Sequence, residues 1–244
     1  MIRALLCDLD DTLFDHAGAT RDALAVVQAT DAALAGWTLD EFDRRHRVVL
    51  EHLHTRVLAD EYSVDDARVV RFQRLLADAG ELAPDPDRLE RLSWAYRHAY
   101  EAAWRLVPGA ASMLSAARAV GWTPVVVTNN ASQEQWLKVE RCGLAPLIAD
   151  MITSEAFGAA KPDPRIMTHA VDCVRGAREH AVVLGDSLST DVAGARAAGV
   201  AVVWFNRWQA TVVDATLRTV TALEPAAHVL EAFDRAVADQ LASR

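Results

Sequence analysis

The sequence is poor in cysteine and has no long apolar run, and each shortage excludes a class of protein. Its three cysteines, Cys7, Cys142 and Cys173, show neither the spacing of metal ligands nor a disulfide framework. A chain without disulfides is typical of a reducing compartment, so we expect a cytoplasmic protein. No segment approaches the ~20 consecutive apolar residues that cross a bilayer, so we expect no membrane partner.

Positive charge is also scarce. The net charge is −9 and no basic stripe is present, which argues against a nucleic-acid polymer as a partner. Only two of the 25 basic residues are lysines, Lys138 and Lys161. A chain that uses arginine almost everywhere keeps lysine where a compact ammonium group is needed. We interpret Lys138, which lies among polar residues at helical spacing, as a surface charge, and Lys161 as a candidate functional residue.

The first residues of the chain form the stretch on which the rest depends. Ile2–Cys7 is a short apolar run, typical of a strand that is buried on both faces of a parallel sheet. It ends in three carboxylates, Asp8, Asp10 and Asp11. Side chains at positions i and i+2 of an extended segment point the same way, so Asp8 and Asp10 can converge on one site. Two carboxylates that lie this close repel each other, and a bound cation or a shared proton relieves the repulsion.

The pattern of the chain predicts an α/β fold with a helical insertion. Residues 15–105 show amphipathic helical periodicity and no convincing strand, whereas strands and helices alternate after residue 106. Alternation of this kind predicts right-handed crossovers and a parallel sheet, which the first strand must join. We therefore expect a core of residues 1–14 and 106–244. Its predicted elements are helices at 110–120, 132–142, 164–174, 191–198 and 225–241, and strands at 123–128, 151–153, 181–184, 200–205 and 219–222.

Polar residues follow the later strands just as the aspartates follow the first. They include Thr128-Asn129 and Gly185-Asp186-Ser187, with Asp191 five residues beyond Asp186, while Lys161 lies in a proline-rich loop before a helix. In a parallel sheet all of these lie along one edge. Carboxylates without histidine or cysteine ligands suit a hard cation, and we expect Mg²⁺. A cation, carboxylates, a hydroxyl group and an ammonium group together can position a phosphoryl group and neutralise its charge, as phosphoryl transfer requires.

Four stretches, in this order, resemble the motifs of the haloacid dehalogenase (HAD) superfamily: Asp8-Leu9-Asp10-Asp11-Thr12, Thr128-Asn129, Lys161, and Gly185-Asp186-Ser187 with Asp191. The helical block resembles the type-one cap of subfamily I, so the resemblance covers essentially the whole chain. It implies a Rossmann-like, doubly wound parallel sheet with an inserted, all-helical cap domain over the strand ends.

The resemblance also implies catalytic and phosphate-binding roles. Asp8 would be the nucleophile and Asp10 the general acid and base. Thr128 and the backbone of Asn129 would hold the phosphoryl oxygens. Lys161 would steady both the phosphate and the nucleophile.

A metal site is implied in the same way. Mg²⁺ would be held by the carboxylate of Asp8, the carbonyl of Asp10 and the carboxylate of Asp186. Ser187 would orient Asp186, and Asp191 would support the site from outside the ligand set or through a water molecule.

The function that follows is a Mg²⁺-dependent phosphatase. Its substrates would be small phosphorylated metabolites, such as nucleoside monophosphates or sugar phosphates, hydrolysed through an aspartyl-phosphate. Several short stretches look most like the nucleotidase and N-acylneuraminate-9-phosphatase branch. Three alternatives stay open: a phosphosugar mutase, a 2-haloacid dehalogenase, which would lack the aspartate at position 10, and a non-catalytic binding protein. The chain could act as a monomer or a homodimer.

Overall fold

Two sets of secondary structure elements make up the chain. The structure, a computed structural model, describes residues 2–58, 61–211 and 214–243, apart from the side chains of residues 54, 55, 58 and 65. It divides into an α/β unit, Met1–Asp15 with Arg105–Arg244, and a helical unit, His16–Trp104. Sequence reasoning placed these boundaries after residues 14 and 105.

Six strands of the α/β unit form one sheet in the order β3-β2-β1-β4-β5-β6. Every neighbouring pair is parallel. The order reverses direction at β1, with β2 on one side and β4 on the other, and ligands of open α/β sheets bind beyond the strand ends at such a point. The strands are β1 Arg3–Cys7, β2 Trp122–Thr128, β3 Asp150–Thr153, β4 Val182–Gly185, β5 Ala201–Phe205 and β6 Arg218–Val220.

The helical unit contains four α-helices and a short 3₁₀ turn within its described residues. The hydroxyl group of Ser63 accepts a hydrogen bond from the Asp66 N–H group and so caps α3, and Asp85 caps α4 in the same way. Leucine, alanine and phenylalanine side chains on the inner faces form the unit's own core. The helices are α1 His16–Thr30, α2 Leu39–Leu58, α3 Val64–Asp78 and α4 Pro86–Ala102.

Helices cover both faces of the sheet. Ile166, Met167 and Ala195 pack with Leu6 and Val125 of the sheet on one face. On the other face α5 and α10 pack together, and α10 lies against β5. The helices of the α/β unit are α5 Ala110–Ala119, α6 Ser132–Arg141, α7 Ser154–Phe157, α8 Pro164–Cys173, α9 Ala193–Ala198 and α10 Ala226–Ala242.

This architecture confirms the predicted fold class, a doubly wound parallel sheet with an all-helical insertion. Coverage of the strand ends by the helical unit remains a prediction. No helix in the described part of the chain is long and apolar enough to cross a membrane.

Candidate active site

Asp8 lies directly beyond β1 and is held in line with β4. Its N–H group donates to the carbonyl of Leu184 over 2.9 Å, so the parallel ladder continues one residue past the strand. The chain then turns sharply, because the N–H groups of Leu13 and Phe14 both donate to the carbonyl of Leu9. Leu9, Leu13 and Phe14 are fully buried. The buried turn fixes the direction in which the Asp8 carboxylate leaves the strand.

Lys161 reaches Asp8 from the loop before α8. Its Nζ donates to Asp8 Oδ1 over 2.6 Å, to Asp191 Oδ1 over 2.7 Å and to the carbonyl of Val127 over 2.7 Å. Burial favours the neutral amine, but the Asp191 and Asp8 carboxylates outweigh it and raise the pKa of Lys161 above its usual range. The lysine is therefore a charged ammonium group between two carboxylates.

Three carboxylates converge on this position. One oxygen each from Asp8, Asp186 and Asp191 lie within 4.8 Å of one another. Desolvation by burial raises the pKa of Asp8 well above its usual range, and repulsion from Asp191 and Asp186 adds to the rise although Lys161 opposes it. Burial, with repulsion from Asp191 and Asp11, raises the pKa of Asp186 to about 7.

These raised pKa values mean that burial, together with repulsion between the carboxylates, disfavours their negative charges in the absence of a cation. The donor set is entirely oxygen, which fits a hard divalent ion such as Mg²⁺. The structure brings Asp191 into the acidic cluster itself, whereas sequence reasoning set it outside the ligands.

Thr128 is the last residue of β2, and Asn129 directly follows the strand beside the same position. The side-chain amide of Asn129 donates to the carbonyl of Lys161 over 2.9 Å and accepts from the Lys161 N–H group over 2.7 Å. This pair of hydrogen bonds fixes the backbone that carries the lysine. Thr128 is buried, and its Oγ1 accepts from Gln135 Nε2 over 2.7 Å.

Asp186 is oriented by one side chain from the turn after β1 and by another from β5. Thr12 Oγ1 accepts from the Asp186 N–H group over 3.1 Å and lies 3.3 Å from its Oδ1. The indole of Trp204 in β5 donates to the Asp186 carbonyl over 2.7 Å. The Ser187 hydroxyl, expected to orient Asp186, accepts from the N–H group of Thr190 in its own turn. Thr12 and Asp186 are 174 residues apart in the sequence, so a local sequence pattern does not reveal their contact.

The interpretation of Lys138 as a surface charge is wrong. Its side chain is 1% exposed, and its Nζ donates to Asp10 Oδ1 over 2.8 Å. Gln135, one helical turn earlier on α6, donates to Asp10 Oδ2 over 2.8 Å. Sequence reasoning did not single out Gln135 at all. The scarcity of lysine indicated that Lys161 is functional, and the same signal could have identified Lys138.

Comparison with known proteins gives the family. The profile of the haloacid dehalogenase-like hydrolases matches residues 2–199. The chain belongs to this family. Its predicted membership of the HAD superfamily and its assignment as a hydrolase are therefore confirmed.

Several relatives of this HAD-like hydrolase align over more than half of its length. YfnB of Bacillus subtilis (strain 168) is 28% identical over 205 residues, which are 84% of each chain. A glyceraldehyde 3-phosphate phosphatase of Methanopyrus kandleri is 29% identical over 209 residues, 85% of each chain. The phosphoserine phosphatase of Thermus thermophilus is 34% identical over 139 residues, 56% of this chain and 53% of the relative.

A solved structure agrees with the fold. The crystal structure of YfnB bound to magnesium superposes with a TM-score of 0.72 at 25% identity and covers 94% of this chain and 98% of the other.

Proposed function

We propose that this HAD-like hydrolase is a Mg²⁺-dependent phosphatase of small phosphomonoesters. One observation carries the proposal: Asp8 lies within a largely buried group of three carboxylates and one ammonium, and a further carboxylate, Asp10, follows two residues later. The phosphatase activities of the Methanopyrus kandleri and Thermus thermophilus relatives, and the magnesium in the YfnB structure, support it.

The nucleophile in this proposal is Asp8. An oxygen of its carboxylate attacks phosphorus, and the bond from phosphorus to the ester oxygen breaks as the aspartyl-phosphate forms. Lys161, 2.6 Å from Asp8 Oδ1, holds the carboxylate in place and offsets negative charge on the transferring group. Thr128 and the Asn129 backbone hold the phosphoryl oxygens.

Asp10 moves the proton in both halves of the reaction. Its carboxyl group gives a proton to the departing alkoxide and then takes one from the water that attacks the aspartyl-phosphate. The products are an alcohol and inorganic phosphate, and Asp8 and Asp10 return to their starting states.

The metal would be held by the Asp8 and Asp186 carboxylates and the Asp10 carbonyl, with Asp191 beside them. When bound, Mg²⁺ supplies positive charge to the phosphoryl oxygens and relieves the repulsion among the carboxylates.

The test is phosphate release from a panel of phosphomonoesters with Mg²⁺ or with EDTA. The panel contains nucleoside monophosphates, sugar phosphates, N-acylneuraminate 9-phosphate, glyceraldehyde 3-phosphate and phosphoserine. We expect Mg²⁺-dependent release from at least one class. An Asp8→Asn variant is expected to keep its fold and lose turnover, because the amide cannot act as the nucleophile. An Asp172→Asn variant, at an exposed position on α8, is the matched control and keeps full activity.

Other outcomes favour the alternatives. Phosphate retained on an isomerised sugar would indicate a mutase, and halide released from a 2-haloacid in EDTA would indicate a dehalogenase. Ligand binding without turnover by folded protein would indicate a binding protein. Each of these results contradicts the proposed phosphatase.

A further inference from the structure

Both carboxylate oxygens of Asp10 are held by a single helix. Lys138 Nζ donates to Oδ1 and Gln135 Nε2 to Oδ2, each over 2.8 Å. Residues three apart on a helix share one face, so α6 presents both donors to the carboxylate together. The contacts span 125 and 128 positions of sequence.

Lys138 is unusual because its charge is buried. Its side chain is 1% exposed, whereas that of Asp10 is 25% exposed. Removing an ammonium group from water costs several kcal/mol unless close partners replace the water. Besides Asp10, these partners include Glu134 Oε1 at 3.7 Å and the ring of Phe14, whose centroid lies 4.9 Å from Nζ. The Lys138 side chain is therefore part of the buried interior of the site and not a residue on its surface.

Gln135 links Asp10 to the phosphate-binding residue. Its Nε2 donates both to Asp10 Oδ2 and to Thr128 Oγ1, while its Oε1 has no hydrogen-bond partner among the described residues. Reversing the amide would place Oε1 against the carboxylate of Asp10, so that carboxylate sets the orientation of the amide. A buried acceptor is left unsatisfied to keep both donor bonds, which implies that they matter to the site.

We propose that Lys138 and Gln135 are positioning residues that fix the Asp10 carboxyl group for proton transfer to the leaving oxygen. The inference rests on the proposed function. The two donors on α6, one for each carboxylate oxygen, fix the direction of the Asp10 carboxyl group. A fixed direction is what efficient proton transfer requires.

The experiment compares two leaving groups by kcat/KM. An alkyl phosphomonoester that the enzyme hydrolyses needs a proton on its leaving oxygen, whereas p-nitrophenyl phosphate releases a stable anion. We expect Lys138→Met to lower kcat/KM for the alkyl ester by about 10-fold or more, within the ~10²–10⁴-fold that a general acid contributes. The value for p-nitrophenyl phosphate should change by no more than about 3-fold, a small part of that contribution. Gln135→Met should also lower the alkyl-ester value more than the p-nitrophenyl phosphate value, with a further loss common to both substrates because Gln135 also holds Thr128.

Two further variants separate positioning from folding. Lys138→Arg keeps a cationic donor and should restore part of the alkyl-ester activity. Gln133→Met, at an exposed position on the same helix, should leave both values unchanged. Equal loss on both substrates in Lys138→Met and Gln135→Met would overturn the inference and leave the phosphatase intact. Wild-type protein that hydrolyses neither ester would overturn the proposed function and the inference with it.

Discussion

Gly185, the last residue of β4, has no room for a side chain. A Cβ built on it would lie 2.4 Å from both Cγ and Oδ2 of Asp191. Asp191 cannot move aside freely, because Lys161 and the N–H group of Ser187 hold its two oxygens. The requirement for glycine here comes from close approach of the acidic cluster to the strand and not from an unusual backbone angle.

We expect Gly185→Ala to damage the site and the fold together. Overpacking of this kind costs about 1–3 kcal/mol, and the displaced Asp191 would release Lys161 from one of its carboxylate partners. Thermal unfolding and phosphatase assays measure the two effects. Gly36→Ala is the matched control, since nothing lies within 4 Å of a Cβ at that position. A Gly185→Ala protein that is as stable and active as Gly36→Ala would contradict this account.

Functional residues could be predicted from the sequence where they follow a strand or belong to a rare residue type. Asp8 follows the first strand, and Lys161 is one of only two lysines. The roles of Lys138 and Gln135 do not, because their polar neighbours on α6 are also what a solvent-exposed helix would show. Burial of Lys138 depends on which helix face meets Asp10, and that contact is set by tertiary structure.

At the scale of elements, an ion pair between Asp31 and Arg88 links α1 to α4 in the helical unit. Asp31 follows the end of α1, and Arg88 lies in the first turn of α4. Nε and Nη2 of the guanidinium donate to the two oxygens of Asp31, each over 2.8 Å. These hydrogen bonds from Arg88 lower the pKa of Asp31, and its burial opposes them without reversing the shift. The Asp31 side chain is only 6% exposed, so water does not replace this partner readily.

We expect Asp31→Asn to destabilise the helical unit by about 1–3 kcal/mol at pH 7, as for other charge-assisted hydrogen bonds. Because the pKa of Asp31 is lower in the folded state, the carboxylate contributes its full stability above its unfolded pKa of about 4 and loses it as pH falls through the folded value. Urea unfolding of both proteins across pH 2–7 should therefore show the difference shrinking below about pH 4. A difference that is as large at pH 2 as at pH 7 would contradict the assignment.

Arg88→Lys gives an independent check on the same pair. Lysine keeps the charge but cannot form the two parallel bonds, so its stability should lie between those of the wild type and Arg88→Ala. A lysine variant as stable as the wild type would mean that charge alone accounts for the pair.

Most element bounds were close to those predicted from sequence, and the exceptions have physical causes. A helix was expected from residue 191, but a π-helical turn at Leu188–Val192 comes first and α9 begins at Ala193. In that turn Asp191 is buried against Lys161 and its Oδ2 accepts from the Ser187 N–H group. Single-turn π-helices are frequent at functional sites, and here the contact of Asp191 with Lys161 outweighs local α-helical preference.

At the scale of the whole molecule, every proposed metal ligand belongs to the α/β unit. Mg²⁺ should therefore raise the Tm of the protein through this unit, since an ion that binds only the folded state stabilises it. The gain is about 2.7 kcal/mol when the free ion is at 100 times its Kd. Differential scanning calorimetry with Mg²⁺ and with EDTA measures it.

Asp186→Asn should remove most of this shift, because it replaces a carboxylate ligand by a neutral amide. Asp172→Asn, away from the site, should keep it. An equal rise in Tm for wild type and Asp186→Asn would place the ion elsewhere.

The fold class could be predicted from the sequence, but the order of the strands in the sheet could not. Alternating strand and helix patterns indicate a parallel sheet, and the 15–105 block indicates an insertion. The strand order β3-β2-β1-β4-β5-β6 does not follow from these patterns. Which edges pair depends on contacts between distant segments, and apolar strands with the same pattern can occupy any central position.

The chain leaves and re-enters the α/β unit at adjacent points. The N–H group of Asp15 donates to the carbonyl of Arg105, and that of Val107 to the carbonyl of Leu13. Arg105 and Arg207 both bind the Asp15 carboxylate over 2.8 Å. Since exit and entry are fastened to each other within one unit, the intervening segment can lengthen, shorten or be exchanged for a relative's without moving a strand of the sheet. Evolution can thus alter this insertion as a separate module while the catalytic framework is inherited unchanged.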